Sequence, residues 1–111
     1  YDDIIHLGIK RGETVVATSS WFSKECPEAP NESAVQLKGM AVVTHIQGSG
    51  LGALLIAAGV KTAQSRNAQL VWARARDSAL GFYERCGFTP VGEQFIDGPT
   101  AMPHHIVIRR L

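Results

Sequence analysis

The sequence predicts an α/β fold in which a mostly antiparallel, splayed sheet of about six strands carries flanking helices. Three observations support this fold class. Apolar residues alternate with polar ones from Ile5, apolar residues recur at helical spacing over 51–66, and a bulky apolar run begins at Leu70. The predicted element order is βββαβαββ. A chain of 111 residues can bury an apolar core without metal or disulfide bonds, and we expect a single domain over residues 1–111.

Three strands are predicted before the first helix. The first strand and a β-favouring run over 15–22 form a hairpin. Residues 23–33 contain two prolines and several charged side chains, which predicts an exposed loop. In the third strand, over 35–43, the alternation is interrupted at Gly39, which indicates a β-bulge. We expect the sheet to splay after Val43.

Helices and strands alternate in the rest of the chain. A helix is predicted over 51–66, a buried strand over 70–73 and a second helix over 78–86. A strand over 88–91 and a last strand over 105–111 are separated by a loop rich in glycine and proline. The residues of the first helix that are predicted to face the core are Leu51, Leu54, Leu55, Ala58 and Thr62.

Composition argues against several functional classes. The formal charge is only +1, which removes the electrostatic basis for binding nucleic acid or an anionic membrane surface. No apolar run approaches the ~20 residues of a membrane span. Cys26 and Cys86 lack disulfide or metal-ligand spacing, and we expect a cytoplasmic protein without a metal. The chain begins at Tyr1, close to an apolar run, and we expect that an N-terminal part is missing.

The glycines between the third strand and the first helix form the most informative segment. Gly48, Gly50 and Gly52 leave backbone N–H groups unshielded where a helix begins, which favours a bound phosphate. The same residues match the dinucleotide pattern, but Arg74 and Arg76 stand where that pattern places an acidic residue. Because arginines can instead contact a 2′-phosphate, an NADP-linked oxidoreductase is an alternative. The ATPase loop is excluded, since no Lys-Ser/Thr pair follows the glycines.

Two motifs resemble those of the GNAT superfamily of acyl-CoA-dependent N-acetyltransferases. Gln47–Gly52 matches the coenzyme A loop of that family, Arg/Gln-x-x-Gly-x-Gly/Ala, at every fixed position. Ala79–Phe88 matches a second signature, Ala-x-x-Phe-Tyr-x-x-x-Gly-Phe. The two motifs are joined by a predicted helix and strand, and together they are more specific than either is alone.

The resemblance implies that acetyl-CoA binds as a cosubstrate. The bulged strand would offer backbone groups to the pantetheine arm and thioester, and the glycine loop would offer amides to the pyrophosphate. The implied binding residues are Met40, Ala41, Val42, Gln47, Gly48, Ser49, Gly50, Leu51, Gly52, Ala53, Arg76, Phe82 and Tyr83. Basic residues that include a candidate partner for the 3′-phosphate are Lys61, Arg66, Arg74, Arg85, Arg109 and Arg110.

The resemblance also implies catalytic roles. Tyr83 falls where the family often places a phenol near the coenzyme sulfur, and it is a candidate general acid; a core aromatic is the alternative. His104, after Pro103, is a candidate general base, with a strand-edge histidine or a water relay as alternatives. The implied reaction transfers an acetyl group to a primary amine by direct attack in a ternary complex.

A non-catalytic CoA-binding sensor is the alternative from another functional class. The expected partner is a small-molecule or peptide amine acceptor, and a homodimer is a further candidate assembly. The chain lacks the opening strand and two helices of the GNAT family, so the resemblance implies an N-terminally incomplete domain.

Overall fold

The computed structural model describes residues 4–48, 50–99 and 101–111 and has one six-stranded sheet with strand order β1-β2-β3-β4-β6-β5. The elements are β1 (Ile5–Arg11), β2 (Thr14–Ser23), β3 (Ala34–Val42), α1 (Leu51–Ser65), β4 (Leu70–Arg76), α2 (Leu80–Arg85), β5 (Thr89–Asp97) and β6 (Met102–Arg110). Single 3₁₀ turns, Thr44–Ile46 and Asp77–Ala79, follow β3 and β4. The predicted fold class and element order are confirmed. Neither helix within the described ranges has the length and apolar character needed to cross a membrane.

The sheet splays between β3 and β4, its one parallel pair. The two strands pair only from Ala34 opposite Leu70 to Leu37 opposite Ala73. Beyond that point β3 stays paired with β2, and β4 stays paired with β6 as far as its last residue. The gap therefore opens after Leu37, earlier in β3 than the predicted position at Val43.

The predicted bulge in β3 is confirmed, and it accompanies the splay. The ladder with β2 shifts so that Gly39 and Met40 stand opposite the single residue Ser19. Gly39 has a φ of 76°, a left-handed conformation that other residues adopt only with strain. Because a bulge bends its strand, β3 turns away from β4 at the end of their short ladder.

Apolar residues fill both faces of the sheet, divided by strand alternation. The cluster on the face that carries the helices contains Trp21, Val35, Leu37, Ile56, Val60, Ala63, Val71, Ala73, Ala75, Phe88 and Val107. The cluster on the opposite face contains Cys26, Ala29, Ala34, Leu70, Trp72, Ile106 and Ile108. The loop over 24–33 covers this second face, so the prediction of a wholly exposed loop was wrong.

The core-facing side of α1 also differs from the prediction. Its buried residues are Leu55, Ile56, Gly59, Val60 and Ala63, whereas Leu54 is 59% exposed. A Cβ atom at Gly59 would overlap the indole ring of Trp21, so the missing side chain lets α1 lie close to β2. Apolar residues surround most of α1, and for that reason periodicity alone did not identify the buried side.

The last two strands form a longer hairpin than predicted. β5 and β6 remain paired as far as Asp97 opposite Met102, through the region that was predicted to be a loop. Gly92 lies where the register shifts between Val91 and Phe95, and it has a φ of 73°. The glycine therefore belongs to a bulge within a continuous strand rather than to the end of one.

Candidate active site

A cleft of about 600 Å³ opens where the end of β3 faces the start of α1. Its lining residues are Met40, Ala41, Val42, Gln47, Gly48, Gly50, Leu51, Gly52, Ala53, Ala79, Phe82 and Arg85. The predicted cosubstrate residues are therefore all here except Arg76 and Tyr83, which lie in a neighbouring cleft, and Ser49, which is outside the described residues. Ala79 was not predicted; only its place in the second motif indicated it.

The glycine loop leaves open space in front of its backbone. Gly48 and Gly50 have φ values of 86° and 87°, and a Cβ atom at either would meet nothing within 4 Å. Glycine is favoured at position 52 for a different reason: a Cβ atom there would lie only 3.2 Å from Cζ of Phe82. The loop thus combines an exposed backbone with a close approach of α1 to α2.

The N-terminus of α1 faces this cleft without a side-chain cap. Gly50 is the N-cap residue, and the first turn contains no acidic residue. The free N–H groups and the helix dipole make such a terminus favourable for an anion. Of the six predicted basic candidates, Arg85 is the one that lines the same cleft, and its side chain is exposed.

The end of β3 supplies backbone groups that the sheet does not use. The N–H of Val43 donates to the carbonyl of Val16 on β2, at 2.9 Å. Successive residues of a strand direct their backbone groups to opposite sides, so those of Val42 point away from β2, toward the gap. The Gln47 side-chain amide donates to the Val42 carbonyl at 3.0 Å, which ties the glycine loop to the strand.

A second cleft, of about 860 Å³, occupies the gap between β3 and β4. Met40, Ala79 and Phe82 line both clefts. The other lining residues of the second cleft are Lys24, Gln36, Leu37, Lys38, Gly39, Arg74, Ala75, Arg76, Tyr83, Asp97 and His104. Both predicted catalytic side chains are therefore in the second cleft, next to the predicted cosubstrate site.

Tyr83 is held by aromatic contacts. Its ring meets Phe82 and Phe88 edge to face, with centroid separations of 5.3 and 5.4 Å. Burial raises the pKa of the phenol, and the neighbouring Cys86 thiol raises it further. The Tyr83 hydroxyl therefore keeps its proton at neutral pH.

His104 has a fixed orientation. The residue is 9% exposed, and its ring stacks on Phe95 with centroids 5.6 Å apart. Its Nδ1 lies 2.7 Å from the carbonyl oxygen of Met102. A carbonyl can only accept, so this contact places the ring proton on Nδ1 and leaves the Nε2 lone pair of a neutral ring free. His104 thus has the tautomer that a general base needs.

Within the described ranges, no group of three or more His, Cys, Asp or Glu side chains could hold a metal ion.

Comparison with known proteins identifies the family. Residues 4–90 match the family model of the acetyltransferase (GNAT) domain. The chain belongs to the GNAT acetyltransferase family. YitI of Bacillus subtilis (strain 168), described as an uncharacterized N-acetyltransferase, is 30% identical over 103 residues, which are 93% of this chain and 68% of YitI. The family predicted from the two motifs is confirmed, and GNAT acetyltransferases use acetyl-CoA and act on amine acceptors.

Solved structures show the same GNAT fold. An aminoglycoside 6′-N-acetyltransferase complexed with coenzyme A superimposes with a TM-score of 0.82 at 12% identity, covering 97% of this chain and 73% of that one. The IAA acetyltransferase from Bacillus cereus ATCC 14579 gives a TM-score of 0.78 at 19% identity, covering 99% of this chain and 79% of that one. At such low identity these likenesses concern the fold alone.

Proposed function

We propose that this GNAT chain transfers an acetyl group from acetyl-CoA to a primary amine by direct attack in a ternary complex. The observation that carries the proposal is the junction of the two clefts at Met40, Ala79 and Phe82. One cleft has exposed backbone amides that suit a phosphate-bearing donor, and the other contains Tyr83, the proposed acid, and His104, the proposed base. A donor and an acceptor that occupy the two clefts meet at the junction, where proximity converts a bimolecular reaction into a unimolecular one.

The residues of the first cleft fit acetyl-CoA. The uncapped N-terminus of α1 suits the pyrophosphate, and the exposed Arg85 guanidinium suits a further phosphate. The apolar side chains of Met40 and Phe82 suit the pantetheine arm. Arg76, which was predicted to bind the cosubstrate, lines the second cleft and not the first.

The proposed chemistry needs three protein groups. The amine nitrogen forms a bond to the thioester carbon while the C–S bond breaks, and the N–H of Val42 is oriented to stabilise the negative charge on the carbonyl oxygen. Nε2 of His104 takes the proton that the amine loses. The hydroxyl of Tyr83 donates a hydrogen bond to the departing thiolate, which then takes a proton from water, while His104 returns the amine proton to solvent.

A ligand comparison tests the donor. We expect thermal stabilisation by acetyl-CoA and CoA and none by NAD or NADP, because a ligand stabilises the folded state that binds it. Stabilisation by NADP without CoA would identify the oxidoreductase alternative. A mass-spectrometric screen of amines with acetyl-CoA then tests transfer, and binding of CoA without acetylation of any amine would indicate the sensor.

Ala53→Glu separates cosubstrate binding from stability. Ala53 is exposed, lines the first cleft and is the third residue of α1. A carboxylate in the first helical turn should stabilise the fold by about 0.3–1 kcal/mol. The same charge should repel a bound pyrophosphate by about 1–2 kcal/mol, which weakens CoA binding about 5–30-fold.

Calorimetric titration with CoA and urea denaturation measure the two effects of Ala53→Glu. Ala53→Gln is the matched control, because it has the same size without the charge and should bind CoA nearly as the parent does. Equal CoA affinity of the Glu and Gln variants would show that the phosphates bind elsewhere.

A further inference from the structure

Most of the charged side chains that line the second cleft are positive. Among its described lining residues, Lys24, Lys38, Arg74 and Arg76 are cations and Asp97 is the one carboxylate. Asp97 is paired with Arg74, at 2.8 Å. The described residues provide no ion-pair partner for the other three cations. Since three positive charges remain uncompensated, the cleft attracts anions and repels cations.

These cations lie on the face of the sheet opposite the helices. In β4, Val71, Ala73 and Ala75 belong to the helix-side cluster, so Arg74 and Arg76 point to the other side. The same alternation places Gln36, Lys38 and His104 on that other side. Tyr83, on α2, stands on the helix side. The gap between β3 and β4 thus connects the helix side of the sheet, where the proposed acetyl-CoA cleft lies, with the opposite side, which carries the cations.

Gln36 adds a second observation. The residue is only 4% exposed, lines the second cleft and has no side-chain hydrogen-bond partner in the described part of the chain. No buried side-chain nitrogen or oxygen of the described residues lacks a hydrogen-bond partner, so the unpaired amide of Gln36 is not itself buried and reaches the open space of the cleft. The amide of Gln36 is therefore available to a polar group of a molecule in the cleft.

We infer that the acceptor is a small amine that carries a carboxylate, the chemical class of the amino acids. This inference rests on the proposed function and specifies its substrate. The carboxylate pairs with Lys38 and Arg76 and accepts a hydrogen bond from Gln36, while the amine faces Nε2 of His104. The first cleft provides Arg85 and the α1 N-terminus for the phosphates of the donor, so the cations of the second cleft serve a different anion. A polyamine or aminoglycoside would meet like charge there.

Matched acceptors test the charge preference. The assay compares kcat/KM for L-amino acids with the values for their carboxamides, spermidine and kanamycin. Each KM is expressed as the concentration of unprotonated amine, because only that form attacks the thioester. We expect the carboxylate to improve kcat/KM by at least about tenfold over the amide, the gain from one charged hydrogen bond. The advantage should shrink at 0.5 M salt, because these cations are exposed. Equal rates within the pairs, or a preference for spermidine or kanamycin, would overturn the inference and leave the proposed acetyl transfer intact.

A charge reversal locates the effect. Lys38→Glu should remove most of the carboxylate preference and leave the KM for acetyl-CoA unchanged. Lys10→Glu is the control, since Lys10 is exposed on β1, lies outside both clefts and gives the same change of net charge. A raised KM for acetyl-CoA with an unaltered acceptor preference would assign the cations to the donor and overturn the inference.

Binding without turnover keeps the two proposals distinguishable. The ¹⁵N-labelled chain, saturated with CoA, is titrated with N-acetyl-L-alanine and with N-acetyl-L-alaninamide. We expect shifts of the Lys38 and Arg76 backbone amides and of the Gln36 side-chain amide with the carboxylate alone. Identical shifts with both compounds, or none with either, would overturn the inference. A charge-selective shift in a chain that acetylates no amine would refute the transfer and leave the anion site standing.

Discussion

Replacing Tyr83 by phenylalanine tests the proposed mechanism most directly. Tyr83→Phe retains the ring and its edge-to-face contacts with Phe82 and Phe88. Within the described ranges no residue hydrogen-bonds to the hydroxyl, so its removal leaves no protein group unpaired. We therefore expect the free energy of unfolding to change by no more than about 0.5 kcal/mol.

The size of the catalytic effect follows from the raised pKa of Tyr83, which burial causes. Complete proton transfer from such a phenol to a thiolate of pKa about 8.5 is unfavourable, so the hydroxyl acts by hydrogen bonding to the developing charge. A hydrogen bond to a charged group contributes about 1.5–3 kcal/mol. We therefore expect kcat to fall about 10–100-fold in Tyr83→Phe, with little change in the affinity for acetyl-CoA.

Single-turnover measurement of thiol release provides the assay, because it isolates the chemical step. A leaving thiol of lower pKa needs less stabilisation by a hydrogen-bond donor. The loss of rate in Tyr83→Phe should therefore be smaller with an acyl donor that releases such a thiol. An unchanged single-turnover rate would show that Tyr83 serves only to fill the core. A loss of several kcal/mol in stability would show that the hydroxyl has a structural partner, and would refute the reasoning in another way.

Two further predictions concern stability. Gly59→Ala should destabilise the fold by about 1–3 kcal/mol, because the new methyl group would overlap the indole of Trp21. Gly81→Ala should instead stabilise the fold by up to about 1 kcal/mol, because its methyl group would lie 3.4 Å from the end of a flexible arginine. Urea denaturation measures both, and a Gly59→Ala variant as stable as the parent would contradict the packing described for α1. Stability should also decline as pH rises above about 8.5–10, because burial raises the folded-state pKa values of Cys26 and Tyr83 and the unfolded chain ionises first. Denaturation at pH 7 and 10.5 checks this, and Tyr83→Phe should show the smaller decline.

The first cleft could be predicted from the sequence because its residues are close together in the chain. Residues 40–53 supply most of its lining, and the second motif supplies the rest. The bulge at Gly39 was also visible, since a glycine interrupts the alternation of a single strand. Local patterns of this kind determine local backbone conformation, which is what binds a phosphate group.

The second cleft could not be predicted in the same way. Lys24, Lys38, Arg74 and Asp97 come from a loop and three strands, and the sheet order brings them together. Nothing in the sequence near Leu37 specifies that β4 lies beside β3 for so short a distance. The buried position of Cys26 was missed for a similar reason, because its partners on β4 and β6 are distant in sequence.

The splay connects the fold to the chemistry through one feature of β3. The ladder to β4 ends at Leu37, and the bulge at Gly39 then directs β3 away. The N–H of Val42 therefore points into the gap, where no strand of the described residues pairs with it. An N–H group left free in this way is fixed by the sheet and costs no reorganisation when charge develops beside it. Under our proposal the donor half of the site therefore depends on backbone geometry and tolerates many side chains. The acceptor half depends on the side chains that line the gap, and for that reason the charges of Lys38 and Arg76, rather than the family motifs, determine which amine this chain acetylates under our proposal.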